Sequence, residues 1–433
     1  MTRVKRPTPQ PQRHDYGQPG GESFAARLSP PPFMLGAILL TLLLGACSPT
    51  NDPPTSALVT LTPSAIVPPT LTPRPPTEPP PTPVIPTLEI PTAAPPPPEP
   101  PPEPTPDPWP EALLEPTRSR MGIHVLLNDD PRILEFVRRA KPRVVKTVDN
   151  FDWLAEVKTI SPATLTIGRH TNVPNRDVLD NKTPDQYPDP AVFARDFINT
   201  FVEDFSRHTH VDYWEGWNEF PPATPAQWDW FARFEAERAC QMQALGFKAA
   251  IGGFSAGVPE YVDMARFLPA IEAAKRCGAI FTLHEYGSPT MQAGVGAGIP
   301  GAPASLHPIA GALTLRYRYW YEGYLKPRNL LVPLVISEAG VDSWVGSGCP
   351  DDPGQGWYGC VNDWRNAGLM DGDRAAWQVY MDQLSWYDQQ LQQDDYVIGF
   401  TIFTAGTNLV SQWATFNIND LLVPMAAYIF TQR

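Results

Sequence analysis

Two glutamates carry most of the chemistry that this sequence could perform. Glu219 closes the run 212–220, Asp-Tyr-Trp-Glu-Gly-Trp-Asn-Glu-Phe, directly after Asn218. Glu338 follows Ser337 at the end of the apolar run 330–337, 119 positions further on. Two carboxyls brought face to face can divide a reaction between them: one gives and takes a proton, and the other stays ionised and attacks. His284 and Tyr286 close a third apolar run, and Arg169 and His170 a fourth. These add donors and charge to the same candidate site. Glu215 shares strand parity with Glu219, so it is expected to point the same way but deeper, as a buried partner for an Arg or His. Glu285 is out of step with His284 and is expected to be structural.

Such groups converge only if the elements beneath them converge. After Arg120 the chain alternates short apolar runs with helical patterns. Strands are predicted at 121–127, 143–148, 164–168, 212–220, 247–252, 280–285, 330–337 and 397–403. Helices are predicted through 140 and at 152–158, 190–207, 225–244, 260–276, 310–324, 373–392 and 424–430. Eight strands, each followed by a helix, predict an α/β fold of the (β/α)8 TIM-barrel class, in which functional groups gather at the C-terminal ends of the strands. A doubly wound open sheet is the alternative, but no Gly-rich dinucleotide fingerprint follows the first strand. Three strand–helix units of about 40 residues fill the interval between the two glutamates, which puts Glu219 on strand four and Glu338 on strand seven.

Asn-Glu ending strand four, His-x-Tyr ending strand six and Ser-Glu ending strand seven resemble the retaining (β/α)8 glycoside hydrolases of the 4/7 superfamily (clan A). The stretch Trp-Glu-Gly-Trp-Asn-Glu is similar to its cellulase-like and β-xylosidase/iduronidase-like members. The resemblance covers the barrel in motif order, over about a dozen positions. It implies Glu219 as acid/base and Glu338 as nucleophile, in a double displacement on a β-linked glycoside or polysaccharide. It also implies Asn218 at the sugar 2-hydroxyl, Tyr286 bonded to Glu338, and His284 on the same wall. Arg169 and His170 are taken as further substrate contacts, although Arg169 is not on the strand that bears the family's usual Arg. The family's strand-eight Trp is missing: the strand ends Ile-Phe-Thr-Ala-Gly, so Phe403 or Trp413 is expected to replace it. Trp153, Trp344, Trp357, Tyr358 and Trp364 lie on expected top loops, where rings can stack on sugars. No metal and no cofactor are expected. The alternative is a carbohydrate-binding barrel without catalysis.

The ends of the chain set the expected context. Of its 55 prolines, 27 fall between positions 49 and 116, which predicts polyproline II or disorder there and an ordinary domain only from 117 to 433. The run 33–46 is apolar and uncharged but, at 14 residues, shorter than the roughly 20 that span a bilayer. With Arg and Lys upstream it reads as an export signal, segment 1–46. Leu-Gly-Ala-Cys at its end resembles a lipobox and implies lipidation of Cys47. Segment 47–116 would then be a tether, up to about 200 Å long at about 3.1 Å per residue. The protein is accordingly expected outside the cytoplasm, lipid-anchored to a bacterial cell membrane, and monomeric. The net charge of −13 and the lack of a basic stripe argue against a nucleic-acid partner. Cys349 and Cys360 bracket a Gly/Pro/Asp loop and are expected to pair. Cys240 and Cys277 pair only if their helices pack side by side.

Overall fold

The computed structural model describes residues 107–171, 188–220, 222–296, 298–303, 306–351 and 354–433. The expected signal segment, Cys47 and the tether as far as 106 lie outside the described residues. Residues 107–116, expected as tether, pack on the domain: Leu113 is in the main core, its N–H donates to Arg139 O (2.9 Å), and Arg139 also bonds Pro110 O (2.9 Å). The packed chain therefore includes residues before the expected start at Thr117. Among the described residues no helix is long and apolar enough to cross a membrane.

Eight parallel strands close a barrel in chain order: β1 (Met121–Val125), β2 (Val144–Val148), β3 (Leu165–Arg169), β4 (Tyr213–Glu215), β5 (Ala249–Phe254), β6 (Ile280–Gly287), β7 (Leu334–Val341) and β8 (Val397–Ala405). Closure comes from β1 pairing with β8, Met121 opposite Phe400 and Ile123 opposite Ile402. Outside run α1 (Pro131–Ala140), α2 (Leu154–Ile160), α3 (Pro190–Arg207), α4 (Pro225–Ala244), α5 (Met264–Cys277), α6 (Tyr317–Trp320), α7 (Val361–Asn366), α8 (Ala376–Leu391) and α9 (Leu422–Thr431). The fold is the predicted (β/α)8 barrel. Three of its helices start by one device. Asp130, Asp189 and Thr224 accept from the first free N–H groups of α1, α3 and α4, and a proline with its φ already helical follows each.

Alternation along the strands sorts the interior into layers. Val144, Ile167, Ala250, Ile280 and Val335 form an apolar plug. Two residues further along the same strands stand Lys146, Arg169 and Thr282, and two beyond Thr282 stands His284. Side chains that share parity share a face, so the plug is roofed by polar groups. Glu338 is three residues past Val335, the wrong parity for an inward position. The β7 register shifts between Ile336 and Ala339 against β8, and its partner β6 shifts between Leu283 and His284. Those irregularities turn Glu338 inward.

Several elements differ from expectation: β7 runs Leu334–Val341 rather than 330–337, so Glu338 lies within it, and α7 stands where a loop was expected. Two further differences have a visible cause. The fourth strand was expected over 212–220, yet β4 ends at Glu215. Arg238, buried on α4, donates to Trp214 O (3.0 Å) and Ala250 O (2.6 Å) and so holds β4 against β5. A Cβ on Gly216 would stand 2.9 Å from that guanidinium, so a side chain there would displace Arg238. The sixth helix was expected over 310–324, yet α6 begins at Tyr317 and continues as a wider turn, Tyr321–Leu325. The N–H groups of Leu315 and Tyr317 are drawn onto the Glu285 carboxylate, and Leu315 takes a left-handed φ of 59°, so no helix forms upstream. Both cysteine pairs are bonded: Cys349 to Cys360 as expected, and Cys240 to Cys277, which joins α4 to α5.

Candidate active site

Glu338 is the buried centre of the site. Its Oε1 lies 3.0 Å from Lys146 Nζ and 3.8 Å from His124 Nε2. Its Oε2 accepts from Tyr286 OH (3.0 Å) and stands 3.6 Å from His284 Nδ1. Burial alone would raise its pKa. His284, Lys146 and Arg169 around it outweigh that and hold the carboxyl well below the usual range. His124 is itself pushed down to about 3 by burial and by the Lys146 charge. It is therefore neutral near pH 7 and offers Glu338 a ring nitrogen rather than a cation. Tyr286 moves the other way: burial and the charges of Glu338 and Glu219 keep its phenol protonated, so it remains a donor.

Glu219 sits at the mouth, beyond the end of β4. Its φ of 50° is in the left-handed region that non-glycine residues seldom adopt, and its N–H donates to Gly253 O at 2.8 Å. That backbone turn presents the side chain to His284, whose Nδ1 is 2.8 Å from Glu219 Oε1. The Glu219 side chain is 39% exposed against 9% for Glu338. The two carboxyls therefore meet different environments: one is open to solvent and the other is sealed among cations and donors. One oxygen of Glu219, one ring nitrogen of His284 and one oxygen of Glu338 all lie within 4.8 Å of one another. Such a trio could face a cation, but Lys146 already brings positive charge to Glu338, which favours proton chemistry there.

Lys146, like His124, is a residue of this site that sequence reasoning missed. Fully buried on β2, it also lies 2.8 Å from Glu215 Oε2. Glu215 is the deep, buried carboxylate its parity implied, but its partner is a Lys rather than an Arg or His. Burial would raise its pKa; Lys146 and His284 bring it down to about 2. Lys146 was visible as a lone cation within Val-Val-Lys-Thr-Val, two places past an apolar position of the same face.

The remaining expected site residues divide. Asn218, Arg169, Phe403 and Trp413 line one cleft of about 430 Å³ together with His124. Phe403 and Trp413 meet edge to face, 5.3 Å between centroids, so both expected substitutes for the missing Trp are at the cleft. His170 is not there. It is sandwiched between Phe201 (4.4 Å) and Trp214 (5.4 Å), and burial lowers its pKa to about 4. It follows Arg169 by one residue, so when Arg169 points inward His170 points to the helix layer. Glu285 likewise faces outward, accepting from Leu315 N and Tyr387 OH (2.6 Å each). Of the loop aromatics, Trp153, Trp357 and Trp364 are buried, whereas Trp344 and Tyr358 are exposed.

No family model and no curated protein matches this chain. Among solved structures it is similar to XacCel5A in complex with cellopentaose, at 9% identity and a TM-score of 0.40 over 72% of this chain and 99% of that one. It is similar to the endo-1,4-beta-D-mannanase of Thermotoga petrophila RKU-1, at 10% identity and a TM-score of 0.39 over 71% and 99%. It is also similar to the endoglucanase Cel5A of Pseudomonas stutzeri, at 12% identity and a TM-score of 0.39 over 75% and 96%. At these values no residue role is carried across.

Proposed function

We propose that the barrel is a retaining glycoside hydrolase that cleaves β-linked glycosides or polysaccharides with Glu219 and Glu338. The observation that carries this reading is the approach of the two carboxyls, with oxygens within 4.8 Å, Glu219 from the turn after β4 and Glu338 from within β7. Retention by double displacement needs carboxyl groups about 5–5.5 Å apart, whereas inversion leaves room for a water at about 6.5–9.5 Å.

Glu338, held ionised, attacks the anomeric carbon. The bond to the leaving oxygen breaks as Glu219 gives that oxygen its proton, and a glycosyl ester forms on Glu338. Water then attacks the same carbon, Glu219 takes the water's proton, and Glu338 leaves as carboxylate. His284 orients Glu219, and Tyr286 and Lys146 receive the charge that returns to Glu338. Asn218, Arg169, Phe403 and Trp413 hold the sugar in the cleft. The export signal, lipidated Cys47 and proline-rich tether are part of the proposal, supported by the sequence pattern alone: they would place the catalytic domain outside the cell, on a bacterial membrane.

The test is kinetic, on a panel of activated aryl glycosides. Glu338→Gln is expected to abolish hydrolysis. Glu219→Ala is expected to spare the glycosylation step with a good leaving group, to slow deglycosylation, and to be rescued by azide. Wild-type rates from Glu338→Gln would remove the assignment.

A further inference from the structure

The base of the barrel, at the end away from the two glutamates, carries a group of arginines that no helix accounts for. Arg120 directly precedes β1 and Arg143 directly precedes β2, so both stand at the N-terminal ends of strands. With Arg118 they line a cavity of about 660 Å³, together with Gln389, Gln392 and Asp395. Basic residues in the last turns of α1 and α5 (Arg138, Arg139, Lys275, Arg276) are ordinary complements to helix C-terminal carbonyls. The three arginines lie outside the helices, so that reason does not cover them. Arg120 Nε is buried without a hydrogen-bond partner, and Arg143 Nε donates to Thr117 O (2.9 Å). Asp388, the carboxylate behind Arg120, accepts from Arg120 N–H (2.5 Å), Gln392 Nε2 (2.7 Å) and Tyr428 OH (2.9 Å) instead. Burial lowers the pKa of Arg120 and Arg143, and the Arg120 charge adds to the shift at Arg143. Among the described residues that line the cavity, three guanidiniums thus face one carboxylate, in a chain of net charge −13.

The chain enters the domain at this same face. Asp107 is bonded to Arg139 in the last turn of α1 (2.7 Å), and Leu113 N–H donates to Arg139 O (2.9 Å). Residues 112–118 then line a second cavity, of about 570 Å³, which shares Arg118 and Arg143 with the first and adds Arg433. Leu113 belongs to the core, whereas Leu114 beside it is 92% exposed, more than any other large apolar residue among those described. A single exposed apolar residue is ordinary. An exposed leucine beside guanidiniums that lack carboxylate partners is different, because it matches the boundary layer of a bilayer, where phosphates and apolar surface lie side by side. The chain that leads back to Cys47 leaves the domain from this face.

Resting on the membrane-anchoring reading for the surface that lies within reach, we infer that the base of the barrel docks on an anionic bilayer: Arg118, Arg120 and Arg143 take lipid phosphate oxygens, and Leu114 enters the headgroup layer. A guanidinium fork matches phosphate oxygens two at a time. Docked by its base, the barrel turns the strand ends that carry Glu219 and Glu338 away from the membrane. The tether then limits how far the domain strays, and the base sets which way it faces.

The experiment follows hydrogen exchange by mass spectrometry in the full chain, with vesicles of phosphatidylcholine alone or mixed with phosphatidylglycerol. The mixed vesicles are expected to slow exchange of the amides in 112–118, and the neutral ones to leave it unchanged. The lipid concentration that half-protects this segment should rise about fivefold in Arg118→Gln and about 25-fold when Arg143→Gln is added. Leu114→Ser should raise it about tenfold. Melts without lipid should match the parent; if the Arg143 variant melts lower, the exposed Arg118 and Leu114 positions carry the test. Equal protection by both kinds of vesicle, protection by neither, or unchanged midpoints in the variants overturns the proposal. So does protection by inorganic phosphate with none from vesicles, which marks a site for free anions. The mass of the N-terminal peptide, in protein taken from bacterial membranes, reads lipidation of Cys47 separately. Lipid without protection leaves the anchor and removes the docking; protection without lipid leaves the docking and removes the anchor.

Discussion

Lys146 and Glu338 form a buried ion pair, Nζ to Oε1 3.0 Å, and the same ammonium is 2.8 Å from Glu215. One cation thus serves two carboxylates in the barrel interior. An isolated buried charge is costly, and breaking a buried pair by removing one partner typically costs about 3–5 kcal/mol.

Lys146→Met should therefore destabilise the domain by about that amount at neutral pH, because it leaves both glutamates without their shared cation. It should also change the acid side of the stability curve. Both folded pKa values are depressed, Glu215 to about 2. The stability they contribute is present above their unfolded value, about 4.3, and is lost as pH falls through the folded values. Without Lys146 those values rise, and acid unfolding should begin at higher pH. The acid limb of kcat/KM should move up with it. Urea unfolding and rate profiles between pH 3 and 8 measure both effects. An acid limb that stays in place would show that Lys146 does not set the ionisation of Glu338.

The pair also shows where sequence reasoning stops. Period-two alternation and strand–helix repetition are local properties, so the barrel and the strand ends carrying Glu219, His284, Tyr286 and Glu338 were legible. Parity placed Glu215 and Glu285 on opposite faces. Lys146 was not legible as a site residue because its partners lie on β4 and β7, and nothing local to β2 records them. His170 failed for a related reason: adjacency to Arg169 in sequence is opposition in a strand. Cys240 and Cys277 stayed open because pairing depends on α4 and α5 packing together, a tertiary fact. The short β4 and late α6 came from Arg238 and Glu285, buried groups that draw backbone partners away from regular structure.

Glu285 makes a second prediction. Burial raises its pKa to about 7, against the donors Tyr387 OH, Tyr317 N and Leu315 N that favour the ionised form. The folded state holds this proton more tightly than the unfolded chain. The resulting stability is complete below about pH 4.3 and is lost as pH rises toward 7. The loss should be on the order of 3 kcal/mol. Glu285→Gln keeps an acceptor for Tyr387 and Leu315 but cannot titrate. Its urea midpoint should fall less than that of the parent between pH 5 and 8. Parallel curves would mean that Glu285 is ionised throughout that range.

The two disulfides should differ in what their removal does. Cys240–Cys277 closes 37 residues and Cys349–Cys360 closes 11. On the chain-entropy account these are worth about 4 and about 3 kcal/mol. Cys240→Ser with Cys277→Ser should lower the global unfolding midpoint, because α4 and α5 flank the β4–β5 pair that Arg238 holds and that carries Glu219. Cys349→Ser with Cys360→Ser should act more locally. Its loop leaves the barrel after β7 and is held near its root by Asp342 and Ser343, so it can open without unbinding a strand. Limited proteolysis should then cut between 342 and 360 at a rate well above that of the parent, while the global midpoint falls less than in the other variant. If the ranking is reversed, the 342–360 loop is part of the cooperative core and the backbone holding Trp344 is as stable as the barrel itself.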